Sequence, residues 1–205
     1  MADRRSYNYR YDADDPYVYA GTKVLVNKFG LVDFDELWNA ERAITGVAAA
    51  ELEAHPIEGL FDLAHLQAIH RALFGEIYAW AGEIREKGFI SKGNSLFCGA
   101  EFILPYSQSL FGALKTESYL RDLERDDFIE RMAFYIAEIN ALHPFREGNG
   151  RTQRIFANQL TRQAGWELNF KTVSPERLCD AHIASMTDLN DLIDLLQETV
   201  SPREN

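Results

Sequence analysis

Phe128-Ile129-Glu130-Arg131-Met132-Ala133-Phe134-Tyr135-Ile136-Ala137-Glu138-Ile139-Asn140-Ala141-Leu142-His143-Pro144 decides how the rest of the chain must be arranged. Phe128, Met132, Ile136, Ile139 and Leu142 recur at the spacing of one helical face, so the segment predicts a long amphipathic helix. The helix should stop just before His143-Pro144, because proline disfavours helical backbone in the residue that precedes it. A helix with so continuous an apolar stripe is expected at the centre of the molecule.

Working outward, helical periodicity covers most of the chain, with no internal repeat and no low-complexity linker. Asp33 followed by Glu36 reads as a helix start whose inner face carries Leu37, Ile44 and Val47. Asp62 opens another helix with Leu66, Ile69 and Leu73 in register. Ser174 before Pro175 reads as a cap and first turn, and Leu189, Leu192, Ile193 and Leu196 mark the last helix. From Glu86 to Phe102 the pattern partly alternates around Lys92-Gly93-Asn94, which favours a short β-hairpin, the one strand pair expected. Residues 1–32 hold Tyr7, Tyr9, Tyr11, Tyr17 and Tyr19 beside Asp12, Asp14 and Asp15 without a clean period, and are read as an irregular arm packed on the domain. The expectation is a mainly α, single-domain helical bundle over residues 33–200, with a hairpin at about 86–102.

The chain's 205 residues, 46% of them hydrophobic, suffice for one sizeable core. The formal net charge of −11 argues against a nucleic-acid partner, since non-specific affinity for polyanions comes from basic residues. Cys98 and Cys179 lack metal-type spacing, and neither a signal-like nor a membrane-spanning apolar run is present, so the cytoplasm is the expected compartment.

The chemistry concentrates in His143-Pro144-Phe145-Arg146-Glu147-Gly148-Asn149-Gly150-Arg151-Thr152-Gln153-Arg154. Here a glycine-bearing turn opens a new helix, leaving amide N–H groups pointing outward at the positive end of a helix dipole, which suits a phosphate. Arg151 and Arg154 leave one helical face, and their guanidinium forks match phosphate oxygens. Glu147 offers a carboxylate for a magnesium ion that bridges phosphates. His143 can take a proton from an attacking hydroxyl near neutral pH. Each element alone has a plainer explanation: a satisfied structural histidine, a common turn, solvated charges. Their joint order points instead to phosphoryl or nucleotidyl transfer. His55, His65, His70 and His182 share no metal-like grouping and are assigned structural or surface roles.

This stretch resembles the complete signature of the Fic family, His-x-Phe-x-(Asp/Glu)-Gly-Asn-Gly-Arg-x-x-Arg, with every defining position matched. Trp80-Ala81-Gly82-Glu83-Ile84-Arg85, Ile90-Ser91-Lys92-Gly93-Asn94 and Phe97 are similar to the segment that forms the family's target-docking flap. The resemblance implies a protein adenylyltransferase that moves AMP from Mg-ATP to a Tyr, Ser or Thr hydroxyl. His143 would be the base, Phe145 the loop's anchor, and Glu147 the Mg2+ ligand. Gly148, Asn149 and Gly150 would form the anion hole, Arg151 and Arg154 would hold phosphates, and Asn158 would touch adenosine. Ile90, Ser91, Lys92, Gly93 and Asn94 would hold the target segment by strand addition. Related enzymes transfer UMP, phosphocholine or a phosphate, and a non-catalytic nucleotide-binding module is the reading from a different class. Many relatives carry an inhibitory helix with Ser/Thr-x-x-x-Glu-Gly/Asn. The nearest match, Thr172 to Glu176, is followed by Arg177 and interrupted by Ser174-Pro175. The resemblance therefore implies a small helical antitoxin supplying the inhibitory glutamate in trans. Targets within the family include gyrase and topoisomerase IV ATPase subunits and, for secreted effectors, host GTPases.

Overall fold

The computed structural model describes residues 9–10, 15–86, 90–92 and 95–203. Seven α-helices fall within them: α1 (Phe34–Ala54), α2 (Leu63–Phe74), α3 (Ile103–Thr116), α4 (Arg125–Leu142), α5 (Asn149–Gln163), α6 (Pro175–Ala184) and α7 (Asn190–Thr199). α4 is the central helix, packing against α3, α5 and α7. Its Phe128, Ile129, Met132, Ala133, Tyr135, Ile136, Ala137, Ile139 and Leu142 are all buried, a wider apolar surface than the single stripe the sequence suggests. α1 and α2 pack together and both meet α5, so α5 is held from both sides.

The predicted caps form. The Asp33 carboxylate accepts from the N–H groups of Asp35 and Glu36, each at 2.9 Å, Asp62 accepts from His65 at 2.9 Å, and Ser174 accepts from Arg177 with Pro175 at the start of α6. Each satisfies donors that a helix start leaves without a partner.

The inner face of α1 differs from the expectation. Val47 is 74% exposed, and the buried positions are Leu37, Glu41, Thr45 and Leu52. The inward stripe turns polar in its middle because that part faces the charged end of α5, which an apolar count cannot detect.

Two small antiparallel sheets flank the helices. In one, β2 (Ser91–Lys92) and β3 (Ser95–Leu96) form the expected hairpin, and β1 (Tyr9–Arg10) pairs with β2, giving the order β1-β2-β3. The arm expected to be irregular thus contributes a strand at Tyr9–Arg10. Tyr7, Tyr11, Asp12, Asp14, Gly93 and Asn94 lie outside the described residues. The other sheet, β4 (Trp166–Leu168) with β5 (Val200–Pro202), was not expected, since three-residue strands are too short to show alternation. It ties the end of the chain to the end of α5. Among the described residues no helix is long and apolar enough to cross a membrane.

Candidate active site

The site begins where α4 is forced to stop. Pro144 keeps His143 out of the helical region, and His143 takes a left-handed conformation, φ 43° and ψ 59°, uncommon for a residue with a side chain. Its carbonyl accepts from Arg85 Nε at 2.9 Å, and the Arg85 N–H donates to the Pro144 carbonyl at 2.9 Å. The Arg85 guanidinium also donates to the Cys98 carbonyl, while the Cys98 N–H donates to Ala141 at 2.9 Å. Arg85 is itself buried, so this cluster rigidly joins the end of α4 to the base of the hairpin. Burial lowers the Arg85 pKa, and these carbonyls supply the acceptors its charge requires.

The His143 imidazole is 6% exposed and stacks on Phe97, ring centroids 3.8 Å apart at 18°. One face is therefore covered by the hairpin base. Its Nδ1 lies 3.3 Å from the Asn140 carbonyl, which can only accept, so Nδ1 is the donor, and in the neutral ring Nε2 carries the lone pair.

The following loop is fastened from beneath. Phe145 is fully buried and stacks on His70 at 3.9 Å. His70 accepts from the Gly82 N–H at Nδ1, 2.8 Å, and donates through Nε2 to the Glu147 carbonyl at 2.9 Å. That pairing requires a neutral ring, and burial accordingly lowers the His70 pKa to about 4. His70 is thus structural, as expected, but it supports the loop directly. Asn149 accepts from the Phe145 N–H at 2.9 Å and donates to the Phe145 carbonyl at 2.7 Å, closing the turn on itself. Its side chain is a loop clasp, and only its backbone faces the anion role expected of it.

Gly148 and Gly150 have separate functions. Gly148 has φ 82°, and a Cβ there would collide with the Phe74 ring, so glycine is required by both backbone and packing. Gly150 lies within α5, where a Cβ would meet only Arg154, at an ordinary 3.5 Å. Of the two glycines in the glycine-bearing turn read from the sequence, Gly148 alone has a positive φ, and Gly150 is already helical. α5 starts after Gly148 with no side-chain cap, which leaves its first amides for an anion.

Arg151 donates to Glu41 at 2.7 Å and to Thr45 at 3.2 Å, lies 3.5 Å from Glu147, and rests 4.6 Å from the Phe74 ring centroid. Glu41 is buried and also accepts from Tyr78. Arg151 is thereby aimed by α1 and α2 rather than loose on the surface. Arg154 differs: among the described residues it has no ion-pair or hydrogen-bond partner, and burial, then the charge of Arg151, lower its pKa to about 10. A cation held this way gains from any anion that reaches it. Asn158 has a buried side-chain oxygen without a partner one turn further along α5. The Glu147 carboxylate accepts from the Gly148 N–H at 2.9 Å and keeps part of its surface exposed. One such carboxylate fits a magnesium ion, which takes most of its ligands from phosphates and water.

The arm reaches the same loop. Asp15 accepts from Arg146 at 2.8 and 2.5 Å, both side chains nearly buried. In the hairpin, Ile90 is buried and Ser91 and Lys92 lie in β2. Sequence reasoning missed Asp15, Glu41, Thr45, His70, Tyr78 and Arg85 as supports of the site. The polar break in the apolar face of α1 is the one signal that could have found any of them.

The Fic/DOC family profile matches residues 60–161. The chain is 39% identical to Protein adenylyltransferase VbhT of Bartonella schoenbuchensis, across 90% of this chain and 38% of VbhT. It is 38% identical to Probable protein adenylyltransferase Fic of Salmonella typhimurium, over 91% of this chain and 92% of that protein. The crystal structure of BepC of Bartonella tribocorum, with bound AMPPNP, superimposes with a TM-score of 0.84 at 27% identity, covering 92% of this chain and 97% of that one. With its whole signature folded into one loop and helix start, and relatives alike along nearly its full length, this chain belongs to the Fic/DOC family.

Proposed function

We propose that this chain is a protein adenylyltransferase that moves AMP from ATP to a hydroxyl of a target protein. The observation that carries the reading is Arg154, a half-buried guanidinium without an anionic partner among the described residues, set one turn inside a helix start whose amides lack a side-chain cap. Such an arrangement favours the outer phosphates of a nucleoside triphosphate. The inner phosphate then lies against the amides of Gly148, Asn149 and Gly150, and adenosine runs toward Asn158. Glu147 would hold a magnesium ion, which when bound would supply neutralisation of phosphate charge.

With Nδ1 protonated and held toward Asn140, His143 Nε2 takes the proton of the target hydroxyl. The hydroxyl oxygen bonds to the α-phosphorus, the bond from that phosphorus to the bridging oxygen breaks, and pyrophosphate leaves. Arg151, aimed by Glu41 and Thr45, and Arg154 stabilise the charge that moves onto the leaving group. The target is held as an extended segment along the hairpin. Residues 33–200 form the catalytic unit, residues 1–32 its arm, and the bacterial cytoplasm is the expected compartment. A small helical antitoxin whose carboxylate pairs with Arg154 fits the same cation. Gyrase or topoisomerase IV ATPase subunits, or a host GTPase, are the target classes of this reading.

Incubation of the chain with magnesium and ATP labelled at either the α- or the γ-phosphate, in a bacterial lysate, tests the group transferred. Label should enter protein from α-labelled ATP only. Incorporation from the γ-position would replace this reading with phosphoryl transfer, and none from either would leave a binding module.

A further inference from the structure

The arm touches both halves of the site, and its two attachments differ in kind. From Asp15 onward it is fastened to the body. The Asp15 carboxylate pairs with Arg146 at 2.8 and 2.5 Å, both side chains nearly buried, and also accepts from the Tyr17 N–H at 3.0 Å. The Tyr17 ring stands edge-on to Trp80, 5.5 Å between centroids, its carbonyl accepts from the Val26 N–H, and the Lys28 N–H reaches the Ile77 carbonyl at 2.8 Å. Further toward the N-terminus, β1 runs antiparallel to β2, with Tyr9 opposite Lys92 and Arg10 opposite Ser91.

That strand covers one edge of β2, and β3 takes the other. The N–H and C=O groups of Ser91 and Lys92, which an incoming extended segment needs free, are therefore met by the chain itself. The two attachments of the arm are unequal in strength. Peeling away a two-residue strand exchanges backbone bonds for bonds to water at small net cost, whereas parting a nearly buried ion pair leaves two charges without partners. The strand is the half that releases, and the Asp15–Arg146 pair is the fixed point that keeps it at high local concentration. Resting on the adenylyl-transfer reading above, we infer that Tyr9–Arg10 is a built-in competitor, which occupies the β2 edge in cis and must be displaced before a target's segment can pair there. Such a competitor raises the target concentration needed and spares the rate at saturation, because the reacting groups are untouched. An arm that only supports the loop acts in the opposite way: loosening it disturbs Arg146 and lowers the saturating rate.

The test compares wild type with a full-length Tyr9→Pro/Arg10→Pro chain, which lacks the N–H donors of β1 and keeps the Asp15 pair. Each receives magnesium, α-labelled ATP and a bacterial lysate in serial dilution. The double-proline chain should reach half-maximal labelling at about a tenth of the lysate concentration that wild type needs, the shift expected of an edge that is open about a tenth of the time. The maximal rate and the affinity for a fluorescent ATP analogue should not change. An unshifted dilution curve, or a lower maximal rate, overturns the inference. A reversible lock gives the converse. In a chain carrying Cys98→Ser and Cys179→Ser, Tyr9→Cys and Lys92→Cys stand opposite each other in the register. Closing that disulfide should cut labelling about tenfold or more, and reduction should restore it. Unimpeded labelling by the closed form also overturns the inference. Amide exchange at Ser91 and Lys92 gives a readout that needs no chemistry. Faster exchange in the double-proline chain than in wild type, with label transferred by neither, would uphold the cis competitor and defeat the adenylyl-transfer reading. Equal exchange in both would defeat the competitor.

Discussion

The loop from His143 to Gly150 and the hairpin from Ser91 to Leu96 lie side by side and are held in opposite ways. The loop has a buried aromatic anchor in Phe145, an internal clasp in Asn149, and supports from Arg85, His70 and Asp15 in other parts of the chain. Among the described residues the hairpin consists of two-residue strands, paired along β2 with β1 and tied to the body at its base through Phe97 and Cys98. Reacting groups need fixed geometry, because small displacements cost large factors in rate. A surface that receives a variable polypeptide needs only a backbone edge and a foothold.

The sharpest way to break this contrast is Gly148→Ala. It combines left-handed strain with collision against Phe74 and should cost on the order of 4 kcal/mol, read as a lowered midpoint in urea. Next is acid. His70 has its pKa lowered from 6.5 to about 4, so the unfolded chain binds the extra proton between those values. Its contribution is fully present above pH 6.5 and is lost as pH falls toward 4, by about 3 kcal/mol in total. His70→Gln should flatten that part of the stability profile. Asp15→Asn removes the charge facing Arg146 and should cost about 2 kcal/mol, with faster amide exchange in the arm and in the loop around Arg146. Leu96→Ala, on the hairpin, should change stability by less than about 0.5 kcal/mol. A large loss there would mean that the hairpin is as tightly integrated as the loop.

The same contrast explains what could be read in advance. The motif was legible because its parts are contiguous, and proline, glycine and helix-start chemistry act over a few residues. The central helix and the caps at Asp33, Asp62 and Ser174 were legible for the same reason. The supports were not, since Arg151 meets Glu41 across 110 positions, Arg146 meets Asp15 across 131, and His70 meets Glu147 across 77. No local pattern encodes such pairs. The face of α1 was misjudged at Val47 because the helix turns polar residues toward Arg151. The pairing of Tyr9 and Arg10 with the hairpin was missed because a two-residue strand has no period to detect.

The most direct test is single-turnover transfer of α-labelled AMP by His143→Ala, measured beside the affinity for an ATP analogue. If His143 Nε2 is the base, transfer should fall by about a thousandfold while nucleotide affinity holds, because the phosphate cradle belongs to α5 and its arginines. Transfer at the wild-type rate by the substituted chain would contradict the account.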